Sequence, residues 1–183
     1  MTKEFSADRL DVKAFAQAKA RLASHDSLLK YKRLSQSAHK LHPELYVDWS
    51  AEGELRDRLG SSPQPWLHLK AQATFPMVCQ RCMQPMDVPL QVDRLFRFVH
   101  DEVTAEAQDG ESEEDVLVLS REFNLRELVE DELLLDLPLV PRHDECPVPV
   151  QMSAGEEDLA PEPAPANNPF AALAGLQMHK PKN

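Results

Sequence analysis

WLHLKAQATFPMVCQRCMQPMDVPLQV, residues 66–92, carries two strand patterns with a cysteine pair between them. In its first ten residues Leu67, Leu69, Ala71, Ala73 and Phe75 fall on one side, and His68, Lys70, Gln72 and Thr74 on the other. A period of two marks a strand with one buried and one wet face, because successive Cβ atoms point to opposite sides of a sheet. Val88, Leu90 and Val92 repeat the pattern, which continues less cleanly over 95–99. The two runs are predicted as neighbouring antiparallel strands.

On the N-terminal side, Leu45, Val47, Trp49 and Ala51 alternate in the same way. Gly53 is expected to interrupt that strand, which resumes at 54–59 before a Gly-Ser-Pro turn at 60–65. Trp49 and Trp66 sit in these patterns and read as core or sheet-packing residues rather than base-stacking platforms. Residues 11–35 favour helix, with Val12, Phe15, Ala16, Ala20, Leu22, Leu28 and Leu29 at mixed helical spacings. A break or new cap at 24–27 would divide this region into two short helices.

On the C-terminal side, residues 101–115 hold eight acids and a glycine, the composition of an exposed loop. A short apolar strand is expected at 116–119. Asn124 then opens the best helix of the chain, near 124–137, and with Glu127 three residues on it has the form of a capping box. Leu125, Leu128, Val129 and Leu133 make its buried stripe, with Glu127, Glu130 and Asp131 on the wet side. Pro138 and Pro141 stop it. Residues 153–167, rich in Pro, Ala and Glu, read as a disordered linker. Beyond it, Asn168 and Pro169 have the form of a helix start leading a small apolar helix through Phe170, Leu173 and Leu176. The fold class is therefore α+β: an antiparallel sheet flanked by an N-terminal helix and the helix near 124–137, with a disordered acidic, Pro-rich tail. Residues 1–150 are expected to form one domain and 151–183 a linker with a short helix.

The composition, 42% hydrophobic and 28% charged over 183 residues, is that of a soluble globular chain. The net charge of −11 is uneven, +4 over residues 1–100 and −15 over residues 101–183. No two of the five glycines are closer than seven positions, so neither a G-x-G-x-x-G turn nor a phosphate-binding P-loop exists. There is no G-x-S-x-G elbow, no H-E-x-x-H, and no run near the ~20 apolar residues that span a bilayer. The first residues carry acids and lack an apolar signal core. Three cysteines do not make a disulfide framework, so the expected setting is cytoplasmic and reducing.

Cys79 and Cys82 can chelate one Zn²⁺ from a tight turn, and Zn²⁺ prefers four sulfur and nitrogen ligands. His143 and Cys146 repeat the i, i+3 spacing, so a Cys79, Cys82, His143, Cys146 set is chemically possible; free thiols are the alternative. A C-x-x-C redox pair is the rival use, but that chemistry wants its first thiolate at a helix N-terminus, and a strand-like run follows Cys82 instead. His39 and His42 read as solvated histidines at a helix end, and the carboxylates form no recognisable acid–base pair. Lys30, Lys32, Arg33 and Lys40, with Lys13, Lys19 and Arg21, give the N-terminal region a basic character that suits weak, salt-sensitive RNA contact or an ordinary solvated face. The acidic run at 101–115 is either solvated or a phosphate mimic toward a basic protein.

Three segments, in this order, resemble the YceD family, the large ribosomal RNA subunit accumulation proteins. They are VCQRC at 78–82 after an alternating strand, LVEDELLLDLPLVPRHDEC at 128–146, and NPFAAL at 168–173. With the strands between them they cover most of 45–176. The resemblance implies a cytoplasmic, non-enzymatic factor needed for synthesis, processing or stability of 23S ribosomal RNA, without a membrane or a small-molecule substrate. Its implied partners are large-subunit ribosomal RNA or its precursor, basic ribosomal proteins, or both, with Phe170 and Leu173 as candidate docking residues. In the wider family the C-x-x-C is often matched by a cysteine-rich segment after the L-P-x-x-P helix exit, implying a structural metal knuckle; here Cys146 remains and His143 is the candidate substitute.

Overall fold

A computed structural model describes residues 4–57 and 62–150. In chain order the elements are α1 (Val12–Gln17), β1 (Arg21–Ser27), a 3-10 turn (Leu28–Lys30), α2 (Lys32–Ser37), β2 (Tyr46–Arg56), β3 (Gln64–Val78), β4 (Pro85–Val99), α3 (Glu102–Asp109), β5 (Asp115–Val118) and α4 (Leu125–Leu135). The alternating stretches fold as expected into the two longest strands, paired antiparallel with Ala71 opposite Val92 and Val78 opposite Pro85. The five strands lie side by side in chain order, β1-β2-β3-β4-β5. The first four are mutually antiparallel, whereas β5 runs parallel to β4. A parallel neighbour requires a crossover, and α3 with its following loop supplies it.

One face of the sheet is the core. Leu67, Leu69 and Phe75 of β3 and Leu90 and Phe96 of β4 are fully or almost fully buried against α1, the Leu28–Leu34 region and α4. Each such side chain contributes about 1.5–3 kcal/mol on leaving water. Val99, out of phase with Phe98, packs with Ala105 of α3 and Val116 of β5 in a second, small cluster.

Four sequence expectations are corrected. Residues 11–35 are not one helix or two short ones broken at 24–27. Six residues form α1, and the chain turns at Lys19, whose φ is 47°. The turn satisfies the helix end: Lys19 N–H donates to the Ala16 carbonyl (3.1 Å) and Ala20 N–H to that of Phe15 (3.1 Å), the two bonds of a Schellman cap. Residues 21–27 then become β1 because pairing with β2 outweighs their modest helix propensity. Gly53 does not interrupt β2; it pairs with Leu67, and a Cβ there would lie 2.5 Å from the Phe15 ring. The acidic run is not a loop throughout, since α3 starts where the Asp101 carboxylate accepts the Thr104 N–H at 2.9 Å. Arg97, 4% exposed, anchors this region through Glu114 (2.7 Å), Gln108 (2.6 Å) and Ser112 (2.7 Å).

The helix expected near 124–137 is α4, and Asn124 accepts the Glu127 N–H at 3.1 Å. The fourth correction is Glu130, expected on the wet side but buried. Its carboxylate accepts the backbone N–H of Arg33 (2.7 Å) and Leu34 (3.1 Å), capping α2, where the N-cap residue Tyr31 makes no side-chain cap. A second buried carboxylate, Asp26, accepts from Lys30 Nζ (2.8 Å), Arg126 Nη1 (2.9 Å), Trp49 Nε1 (3.0 Å) and the Tyr31 hydroxyl (3.2 Å), with Ser24 beside it. Arg126 also reaches Asp8 at 2.7 Å, so α4 closes over the N-terminal segment. Leu10 and Phe123 join the same two segments by a backbone bridge.

The described residues up to Val148 form one compact unit. The expected linker and tail helix, with Phe170 and Leu173, lie outside the described residues. Among the described residues no helix is long and apolar enough to cross a membrane.

Candidate metal centre

The C-x-x-C pair occupies the tip between the two longest strands. Cys79 directly follows β3, and its N–H donates to the Gln84 carbonyl at 2.9 Å, while the Met83 N–H returns to the Cys79 carbonyl at 2.9 Å. Closing so tight a turn places Met83 at φ 58°, a backbone region that L-residues other than Asn and Asp rarely enter.

The second pair arrives from the far end of the chain. After α4 the segment 136–146 returns to the turn, where Gln80 N–H donates to the Pro141 carbonyl at 2.9 Å. The Arg81 guanidinium holds the next two residues, donating to the carbonyls of His143 and, at 3.3 Å, Asp144. His143 N–H donates to Cys79 Sγ at 3.4 Å, and His143 Nδ1 lies 3.4 Å from Cys82 Sγ. The ligand atoms of Cys79, Cys82, His143 and Cys146 all lie within 4.8 Å of one another.

The thiols differ in acidity. Burial pushes Cys79 up, but the backbone N–H groups of Cys82, His143 and Arg81, with the Cys82 thiol, outweigh it and bring Cys79 to about 5. Cys82 is raised, by burial first and then by the neighbouring Cys146 and Cys79 thiols, against an opposing backbone hydrogen bond. Metal ligands must be deprotonated, and this cluster favours one thiolate before any ion arrives. Three sulfurs and one imidazole are the borderline-soft donors that suit Zn²⁺, and a set of four leaves no open position for substrate. The residues therefore fit a structural ion. No helix begins at Cys79, so the helix-terminus arrangement of a thiol–disulfide enzyme is missing.

The predicted RNA contacts are placed differently from one another. Lys30 is tied to Asp26 at 2.8 Å, and Arg33 to Glu130 (3.1 Å) and Asp131 (2.5 Å). Lys32 and Lys40 are exposed and form no ion pair with the described residues. Met83 and Asp26 were not legible as site or framework residues, and Arg81 was legible only as a neighbour that could help the thiolate. The carbonyls that Arg81 holds lie more than sixty positions away and leave no mark on its local sequence.

Comparison with known proteins adds the decisive observation: the family model "Large ribosomal RNA subunit accumulation protein YceD" matches residues 67–177, well over half of the chain. The chain belongs to the YceD family. The match begins in β3, spans all four donors, and ends beyond the segment that carries Phe170 and Leu173. The resemblance read from the three motifs is borne out. A YceD protein of Haemophilus influenzae, named "Large ribosomal RNA subunit accumulation protein YceD", is 34% identical over 114 residues. That stretch is 60% of this chain and 63% of the relative, so the chain matches under two thirds of the relative's length. No solved structure matches this YceD chain.

Proposed function

We propose that this YceD chain is a non-catalytic cytoplasmic factor that promotes accumulation of 23S ribosomal RNA by binding a component of the large subunit. The observation that carries the role is family membership over β3 to the tail, together with the name shared by the family and the Haemophilus influenzae relative. Support for binding rather than catalysis comes from the four clustered donors, which make a closed cross-link rather than a reactive centre. Bound zinc would supply a structural joint between the strand tip and the segment after α4. The direct partner is ribosomal RNA, its precursor or a basic ribosomal protein, reached in part through Lys32 and Lys40 and through Phe170 and Leu173. Deleting the gene should lower the ratio of large- to small-subunit ribosomal RNA; an unchanged ratio would sink the proposal. Native mass spectrometry with and without chelator tests the ion, since a bound Zn²⁺ adds a discrete mass that chelation removes.

The lowered pKa of Cys79, beside Cys82 in one tight turn, favours a second function, a thiol-based redox sensor using Cys79 and Cys82. Replacing both by Ser separates the two. A sensor loses its oxidant response while the fold stays intact. A structural joint loses bound metal and thermal stability together.

A further inference from the structure

Two adjoining depressions, of about 310 and 400 Å³, open between α1, the start of β3 and the end of β4, and share Lys13, Gln17, His100 and Leu119. The inner one is walled by apolar groups, Leu55, Pro63, Pro65 and Phe98, with Gln64 and Thr104 at its side. The outer one is bordered by Arg121. Lys13 and Gln17, four residues apart on α1, present to the same side of the helix.

The cations at the mouth differ from those of the sheet. Arg21, Arg56 and Arg94 are paired across the sheet or along a strand to Glu52, Glu54 and Asp115. Lys13 and Arg121 are exposed and form no ion pair with the described residues, and exposed His100 adds a third nitrogen donor or acceptor. The two acids on the rim are engaged in capping: Asp11 accepts the Ala14 N–H at 3.0 Å, and Asp101 the Thr104 N–H at 2.9 Å. An apolar recess with amide and hydroxyl groups beside it, opening onto the exposed Lys13 and Arg121, complements a flat heterocycle joined to a phosphate.

We propose that this groove binds a nucleotide unit, its base in the recess beside Leu55 and Phe98 and its phosphate against Lys13 and Arg121. The unit is either a free mononucleotide or one nucleotide of a single-stranded RNA. The proposal extends the ribosomal reading without resting on it: nucleotide binding by purified protein can fail while gene deletion still alters the ribosomal RNA ratio.

The test measures anisotropy of a fluorescein-labelled, short single-stranded oligoribonucleotide, and calorimetric binding of AMP and UMP, on the full chain. Lys13→Glu combined with Arg121→Glu alters exposed residues only, and a circular-dichroism melt checks that the fold persists. Loss of the one neutralised phosphate should make the slope of log affinity against log salt shallower by about 0.7 for a single strand. Leu55→Trp, which fills the recess, should abolish mononucleotide binding and leave the salt slope for RNA in place. Lys70→Glu with Arg94→Glu, two exposed cations of the sheet outside the groove, is the control and should change neither. Binding of AMP or UMP identifies a free-nucleotide site, and binding of the oligonucleotide alone identifies a strand site. If neither ligand type binds the unmodified protein, or if the control pair weakens binding as much as the groove pair, the groove is not a nucleotide site.

Discussion

Gly53 lies beneath Phe15, and any side chain there meets the ring and then, at 3.1 Å, the Ala16 backbone. The ring is fully buried and cannot swing aside. Gly53→Ala should cost about 1–3 kcal/mol by overpacking, seen as a lower midpoint in urea with unchanged slope. Asp26 shows the opposite tactic, a charge drawn inward. Burial alone would raise its pKa, but Lys30, Trp49, Ser24 and Arg126 outweigh burial and lower it from 3.8 to about 2. The depressed value stabilises the fold above pH 3.8 by about 2 kcal/mol, and this contribution is lost as pH falls toward 2. Asp26→Asn, which leaves Arg126 and Lys30 without their buried counter-charge, should cost about 3 kcal/mol at neutral pH. Urea melts of both proteins from pH 7 downward should converge between pH 4 and 2; a gap that stays constant would refute the assignment.

At the scale of elements, the clearest dependence is that of α2 on α4. Glu130 stands in for an absent N-cap, so Glu130→Leu should leave two buried or half-buried N–H groups unpaired and cost about 1–3 kcal/mol. Hydrogen exchange should report it as lost protection at Arg33 and Leu34. The same pair of helices marks what the sequence made visible. β3, β4 and α4 could be read because each writes its own period, two for the strands and the Asn124 cap with a leucine stripe for the helix. β1 could not, because one of its inward positions is Asp26, a residue made tolerable by Arg126 one hundred positions away. α3 hid behind its acids, for its helix buries Ala105 alone and its anchor, Arg97, belongs to another element. Glu130 misled for the same reason: its partners come from α2, and no local pattern announces them. Of the candidate metal centre, spacing alone revealed the four donors. Their juxtaposition depended on Arg81 and on the return path of 136–146.

Across the whole molecule, the basic first half and the acidic second half turn out to be partners. Arg33 meets Glu130 and Asp131, Arg94 meets Asp115, Arg97 meets Glu114, and Arg126 answers Asp8 and Asp26 in the reverse sense. Much of the apparent asymmetry is therefore settled internally, and the remaining uncompensated cations become informative. A bound ion at the cysteine cluster would join the two ends of the fold at a single point. Removing it with chelator should lower Tm and raise hydrogen exchange at 79–84 and 141–146, while protection along β2 and β3 persists. Uniform loss of protection would show the ion to be required for the entire fold.

The in-line sheet also has a bearing on how the chain matures during synthesis. Because each strand lies beside its predecessor, β1 to β4 can be laid down one after another as they emerge. Until Phe123 and Arg126 have been made, however, Leu10 lacks its bridge and the carboxylates of Asp8 and Asp26 lack their guanidinium. A nascent chain halted before that point holds a sheet whose apolar face is covered by α1 and the Leu28–Leu34 region but not by α4. α4, the last of the described helices, completes the cover of the sheet, so a chain made in vectorial order should close its core only once that helix has emerged.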